Sequence, residues 1–204
     1  MTAPRGGRNG APLLVVLSGP SGAGKDAVLD ELAARGHRFH RVITCTTRAP
    51  REQERDGVDY YFVSREEFAR LIEEGGLLEH ATVYGEHYGV PRAQVEEQLA
   101  AGLDVYVRTD VQGAATIKRL MPEAVRVFIA PGSVEELEER LRARNSDDEE
   151  RIQRRLRTAR EEMARMGEFE HVIVNAPGRL SETVDALERV LAEARGAGAR
   201  GVGQ

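Results

Sequence analysis

Leu13-Leu14-Val15-Val16-Leu17-Ser18-Gly19-Pro20-Ser21-Gly22-Ala23-Gly24-Lys25 is the stretch that decides the fold class. Its first five residues form an unbroken apolar run that stops at Ser18-Gly19-Pro20, the pattern of a short strand buried on both faces of a parallel sheet. Val28, Leu29 and Leu32 then recur at helical spacing, which predicts a helix over Lys25–Ala34. Between strand and helix lies G-x-x-x-x-G-K, from Gly19 to Lys25, in the setting that a phosphate-binding loop requires. Glycines let successive backbone N–H groups converge on a phosphate, and the helix N-terminus adds positive potential. Lys25 supplies a point charge for the outer phosphates, and the chain's only other lysine is Lys118. The next position usually carries a Ser or Thr hydroxyl for Mg²⁺. Here it is Asp26, a hard oxygen donor that can still hold Mg²⁺ but brings negative charge beside the phosphates.

Outward from this loop, short apolar runs predict further strands at Val42–Thr44, Tyr60–Val63, Val105–Val107, Val125–Ile129 and Val172–Val174. Ser64 with Glu67, Ser133 with Glu136 and Ser146 with Glu149 have capping-box spacing and mark helix starts. Pro91 suits the first turn of a helix running to about Ala101. A last helix is predicted over Ser181–Ala194, with Val184, Leu187 and Leu191 on its inner face. Strands alternating with helices give an α/β fold around a mostly parallel sheet. Glu135–Arg165 is dense in arginines and acids, with one narrow apolar stripe of Ile152, Leu156, Ala159 and Met163. That is a helical hairpin, either a solvated surface laced with i,i+4 pairs or a lid over the phosphate site.

A length of 204 residues suits one domain carrying inserted subdomains. A net charge of −5 argues against a broadly basic nucleic-acid surface. The single Cys45 excludes an internal disulfide framework and a Cys-rich zinc site, and fits a reducing compartment. No apolar run approaches the roughly 20 residues that a membrane span needs, so a cytoplasmic protein is expected. Met1–Ala11 and Arg195–Gln204, rich in Gly and Arg, are expected to be flexible tails.

Beyond the loop, the chain carries Thr46-Thr47-Arg48-Ala49-Pro50-Arg51, Gly57-x-x-Tyr60-x-Phe62, Glu79-x-Ala81 and Tyr88-Gly89. Asp110-Val111-Gln112-Gly113-Ala114 and Val172-Ile173-Val174-Asn175 follow. From about Leu13 to Ala194 this ordered series resembles the guanylate kinase family, P-loop nucleoside-monophosphate kinases that phosphorylate GMP from ATP. The resemblance implies a three-layer α/β/α core (12–40, 96–132 and 166–194) with a parallel sheet. It also implies a GMP-binding insert at about 41–95 and a helical lid at about 133–165, within one domain over 12–194.

The same resemblance assigns roles. Gly19, Pro20, Ser21, Gly22, Ala23, Gly24, Lys25 and Asp26 would hold ATP, with Asn175 facing adenine. Arg48 and Arg51 would grip the GMP phosphate, since arginine forks suit a dianion, and Tyr60 and Tyr88 would add hydroxyls. Glu79 would accept from guanine N1–H and the exocyclic amine, with Thr44 and Asp110 also on the GMP side. Asp110 and Asp26 are the metal candidates, for Mg²⁺ accompanying ATP. Lys25 with the lid arginines Arg140, Arg144 and Arg155 would stabilise the transferring phosphoryl group.

Val90 and Arg108 depart from the family pattern; Arg108 replaces an acid and is expected near Asp26 or the GMP phosphate. The resemblance therefore implies a cytoplasmic ATP:GMP phosphotransferase of purine metabolism, acting on GMP and dGMP. It implies nucleotide partners only, with no nucleic acid, membrane or obligate protein partner. Two alternatives stand beside it. One is a kinase-dead module that binds proteins, which would be expected to lose Lys25, Arg48 or Arg51. The other is a related kinase acting on ribose 1,5-bisphosphate.

Overall fold

Alternate residues of the opening strand go to opposite faces of a sheet, as the strand period requires. In the computed structural model, which describes residues 11–83, 85–143 and 149–200, this strand is β1 (Leu14–Ser18). Its Leu14 and Val16 join one core cluster, and Val15 and Leu17 join another. The unbroken apolar run is thus a central strand covered on both sides.

β1 leads through the glycine loop into α1 (Lys25–Ala34) and the short β2 (Phe39–Arg41). β3 (Cys45–Thr46), β4 (Tyr61–Phe62), α2 (Arg65–Glu73), β5 (Leu77–Val83) and β6 (Glu86–Pro91) follow. Next come α3 (Arg92–Ala100), β7 (Asp104–Arg108), α4 (Val111–Leu120) and β8 (Val125–Pro131). α5 (Val134–Ala143), α6 (Glu149–Ala164), β9 (His171–Asn175) and α7 (Leu180–Arg200) complete the described chain.

Five strands form an all-parallel sheet in the order β2-β7-β1-β8-β9. One cluster packs α4 through Val111, Ala114 and Ile117, and α3 through Val95, against it. The other packs α1 through Val28, Leu29 and Leu32, and α7 through Val184, Leu187 and Leu191. Helices therefore cover both faces, giving a three-layer α/β/α core. A second sheet, ordered β4-β3-β6-β5, stands on residues 45–91 and encloses its own small cluster of Cys45, Phe68 and Leu77.

Several boundaries differ from the sequence reading. Val42–Thr44 is no strand but the passage between β2 and β3. Val42 is buried, and both backbone groups of Ile43 bond to the Gln94 side chain, at 3.0 and 2.9 Å. A side-chain amide thus replaces a ladder partner. The β5–β6 hairpin went unpredicted, because Leu77-Leu78-Glu79-His80 breaks the alternation a strand reading needs. Pro91 ends β6 and caps α3 rather than lying in its first turn. Helix α7 runs on to Arg200, six residues past the predicted end at Ala194, so Arg195–Arg200 is helical rather than a loose tail.

Ser64 and Ser133 do cap their helices, accepting from Glu67 N at 3.0 Å and Glu136 N at 3.1 Å. Ser146, like Arg144 and residues 1–10, lies outside the described residues.

α5 and α6 form the charged hairpin, held by a cluster of Leu137, Leu141, Ile152, Leu156 and Ala159 that is separate from the two main cores. Met163, the fourth residue of the predicted stripe, packs against the main core instead. A hairpin with its own small core should loosen on its own. Leu156→Ala is expected to cost about 2–5 kcal/mol, confined to this unit. Hydrogen exchange should speed up across α5 and α6 while amides of β1, β7 and β8 exchange as before.

Candidate active site

The phosphate loop leaves the C-terminal end of β1, the edge at which open parallel α/β sheets bind ligands. Lys25 Nζ folds back over the loop, donating to Pro20 O at 3.1 Å and also to Gly19 O. Its charge is therefore poised at the loop's opening. Gly24 shows why the motif needs glycine. Its φ is +91°, and a Cβ there would stand 2.3 Å from Asn175 Nδ2.

Asn175 itself is only 6% exposed. Its Nδ2 donates to Ala23 O at 2.8 Å, and its Oδ1 accepts from Thr183 Oγ1 at 3.2 Å. The amide expected to face adenine fastens the phosphate loop to β9 and α7, and Asn175 also lines a cleft beside that loop. Its backbone carbonyl accepts from Arg140 Nη2 at 2.8 Å. Arg140 consequently lies with Asn175, Gly22 and Gly24 in a shallow cleft on the far side of the loop.

A larger cleft of about 590 Å³ opens between the loop and the four-stranded sheet. Gly19, Ser21, Gly22, Gly24, Lys25 and Asp26 line one side. Thr44, Arg48, Arg51, Tyr60, Glu79 and Tyr88 line the other, with Asp110 and Arg155. Residues from 19 to 155 in the chain are thereby brought to one cavity. Of the sequence-predicted set, Pro20 and Ala23 serve from beneath the loop, where Ala23 N donates to Pro20 O at 3.0 Å.

On the sheet side one Arg48 nitrogen, Nη2, lies 2.9 Å from each Glu54 carboxylate oxygen, and the guanidinium lies 5.4 Å from the Tyr60 ring centroid. Arg51 lies 3.6 Å from the same carboxylate and donates its backbone N–H to it at 2.9 Å. One acid thus aligns both arginines.

Glu79, on β5, is 4% exposed. Its Oε1 accepts from Thr109 Oγ1 at 2.7 Å, while Oε2 has no hydrogen-bond partner among the described residues. Burial pushes its carboxyl up to about 7, with the Thr109 bond opposing and Asp110 adding to the rise. Gly113 makes this arrangement possible, since a Cβ there would meet Thr109 Oγ1 at 2.1 Å and Glu79 Oε1 at 2.7 Å. Asp110 caps α4, accepting from Gly113 N at 2.7 Å, and lines the cleft as well.

A family model described as guanylate kinase matches residues 12–194. The chain belongs to the guanylate kinase family. The guanylate kinase of Parasynechococcus marenigrum (strain WH8102) is 49% identical over 162 residues, covering 79% of this chain and 89% of that one. That of Streptococcus thermophilus (strain CNRZ 1066) is 45% identical over 193 residues, covering 90% and 92%. Guanylate kinase 2, chloroplastic/mitochondrial, of rice is 44% identical over 181 residues, which are 88% of this chain and 64% of that longer protein. Among solved structures, guanylate kinase from Anaplasma phagocytophilum has a TM-score of 0.73 at 35% identity, covering 91% of this chain and 87% of that one.

Within this guanylate kinase cleft, sequence reasoning missed Glu54, Thr109 and Glu162. Glu162, on α6, is 7% exposed and lines the cleft seven residues after Arg155, hence on the same helix face. A signal existed, because position 162 falls on the inner side set by Leu156 and Ala159. Burial pushes Glu162 up to about 7 as well, with Lys25 opposing and Asp110 adding to the rise.

Without nucleotide the folded protein keeps the Glu79 and Glu162 protons up to about pH 7, whereas the unfolded chain releases them in the usual carboxylate range. Between those limits the native state binds more protons, so its stability falls as pH rises. Glu79→Gln and Glu162→Gln should each exceed the parent at pH 8, by on the order of 1–3 kcal/mol, with the gap closing toward pH 4. Urea unfolding of the nucleotide-free protein at the two pH values measures this; a pH-independent gap would assign the effect to packing.

Proposed function

We infer that the chain transfers the γ-phosphoryl group of ATP to GMP or dGMP across the larger cleft, giving ADP and GDP or dGDP. It is an ATP:GMP phosphotransferase. The observation that carries this reading is that the phosphate loop with Lys25 faces Arg48, Arg51, Tyr60, Tyr88 and Glu79 across one cavity. A donor polyphosphate on the loop and an acceptor phosphate on the arginines then meet in between. No covalent intermediate is required, since phosphoryl transfer is catalysed by positioning and electrostatics.

The acceptor half reads its substrate by charge and by donor count. Arg48 and Arg51 exchange Glu54 for the GMP phosphate, with the Tyr60 and Tyr88 hydroxyls completing the shell. The unpaired Oε2 of Glu79 beside a bonded Oε1 suits a base offering two donors. Guanine offers N1–H and an amine, whereas adenine's bare N1 would oppose a carboxylate. Thr44, buried beneath the same cavity, closes the base site.

The donor half uses the loop amides and Lys25, with Arg155 from α6 and Arg140 from α5 on its two flanks. Arg144 belongs to the same proposal from outside the described residues. Closing α5 and α6 over both nucleotides would keep water from the γ-phosphate.

Asp26 and Asp110 fit Mg²⁺ by donor chemistry. Both are carboxylates on the phosphate cleft, and Mg²⁺ commonly takes one or two carboxylates, water and substrate phosphates. The ion would neutralise charge on the phosphates; Asp26 and Asp110 would hold and orient it. A cytoplasmic setting agrees with nucleotide substrates and the buried free thiol of Cys45. Among the described residues no helix is long and apolar enough to cross a membrane.

A coupled ADP-release assay across GMP, dGMP, AMP, UMP and ribose 1,5-bisphosphate tests the reading. Turnover is expected with GMP and dGMP; AMP turnover equal to GMP would remove the role given to Glu79. Glu79→Gln should lower kcat/KM for GMP on the order of 100-fold. Because guanine needs the ionised carboxylate, guanosine affinity should weaken about tenfold per pH unit below pH 7 in the parent and stay flat in Glu79→Gln. Calorimetric titration at pH 6 and 8 distinguishes the two.

A further inference from the structure

Arg108 ends β7, and Asp26 stands in the first turn of α1. Their side chains form an ion pair, and both line the larger cleft. The two ends differ in setting. The Asp26 side chain is 63% exposed and the Arg108 side chain 14%. Moreover, Arg108 Nε is buried and has no hydrogen-bond partner among the described residues. Arg108 therefore brings to the phosphate cavity a full charge and an unused donor, anchored on a core strand.

Its position lies between the two halves of the site. Burial raises the Tyr60 phenol, and Arg108 opposes that rise more than Arg48 does, although Arg48 lies 5.4 Å from the ring centroid. Asp26 acts on the same phenol in the opposite direction. The pair thus sits within the field of the acceptor tyrosine, with Asp26 on the loop's own helix and Arg108 at the end of β7.

We propose that Arg108 is a phosphate-binding residue of the acceptor site, held on Asp26 in the empty cleft and passed to the GMP phosphate on binding. This rests on the acceptor-phosphate placement proposed above. The exchange is favourable because a phosphate dianion offers an arginine fork more charge and more acceptor oxygens than one solvated carboxylate. A half-exposed ion pair is weakly held, so little is lost on leaving it. The exchange also solves the problem Asp26 creates. Its charge is masked by Arg108 until the nucleotides arrive, and it is then free to face the metal beside the donor phosphates.

Binding of GMP and of guanosine, measured by calorimetry in EDTA without ATP, tests this in parent, Arg108→Met, Arg108→Lys and Asp26→Ser. Arg108→Met should weaken GMP about 10- to 100-fold, with guanosine changed less than about twofold. Arg108→Lys should recover part of the loss, and Asp26→Ser, which frees Arg108, should bind GMP several-fold more tightly. Unchanged GMP affinity in Arg108→Met, or equal losses for GMP and guanosine, would overturn the proposal, as would weaker GMP binding by Asp26→Ser. A parent protein that binds no GMP would instead remove the acceptor site itself, and this role with it.

Discussion

Negative charge in a confined space is the constraint on which the site is built. The cleft proposed to receive two phosphorylated nucleotides is itself lined by Asp26, Asp30, Glu54, Asp59, Glu79, Asp110 and Glu162. Seven carboxylates beside two polyanions would repel them, so each needs a local answer. Glu54 is held by Arg48 and Arg51, Asp26 by Arg108, Asp30 by Arg41, Asp59 by the Arg55 backbone N–H, and Asp110 by the N-terminus of α4. Glu79 and Glu162 are answered by burial, which keeps them near neutral until a donor or cation reaches them. The arginines are thereby aligned by carboxylates at the positions proposed above for the phosphate oxygens.

Holding that balance requires a backbone that does not give way. The phosphate loop is tied from behind by Asn175 and Thr183, which link Ala23 to β9 and α7. The guanine side is tied through Gly113, whose missing side chain lets α4 press Thr109 against Glu79. Both ties reach back to the five-stranded sheet, one through β9 and one through the end of β7. The parallel sheet therefore works as the common frame for the proposed donor and acceptor sides, while α5 and α6 carry a separate small core of their own.

How far this was legible in the sequence depends on whether the signal was local. The run Leu13–Leu17 and the glycine loop are local, and they placed the central strand, the loop and α1 at their observed positions. The serine caps at Ser64 and Ser133 are equally local. Most of the candidate site was named through ordered motifs, and among its described residues the fold brings all but Pro20 and Ala23 to two adjoining clefts. What stayed hidden depends on partners far along the chain. Gln94 replaces a strand partner for Ile43 from 51 residues away, and Asn175 turns inward to a loop 152 residues earlier. Glu162 hid among a run of surface acids, and only its register on α6 sets it apart.

The substitution pattern around Asp26 follows from the same balance. A carboxylate next to the phosphate lysine is acceptable only where a fixed cation stands opposite, and the end of β7 is well placed to supply one. β7 pairs in parallel with β1, with Leu17 in register with Arg108, so its last side chain emerges beside the loop that β1 feeds. A lysine there would carry the same charge on a flexible stem with no fork, and would serve one partner at a time. Arginine can hold Asp26 with one nitrogen and still present others to the cavity. The pair therefore belongs to the phosphate chemistry of the cleft rather than to the stability of the sheet, which is maintained by the buried faces of β1 and β7 themselves.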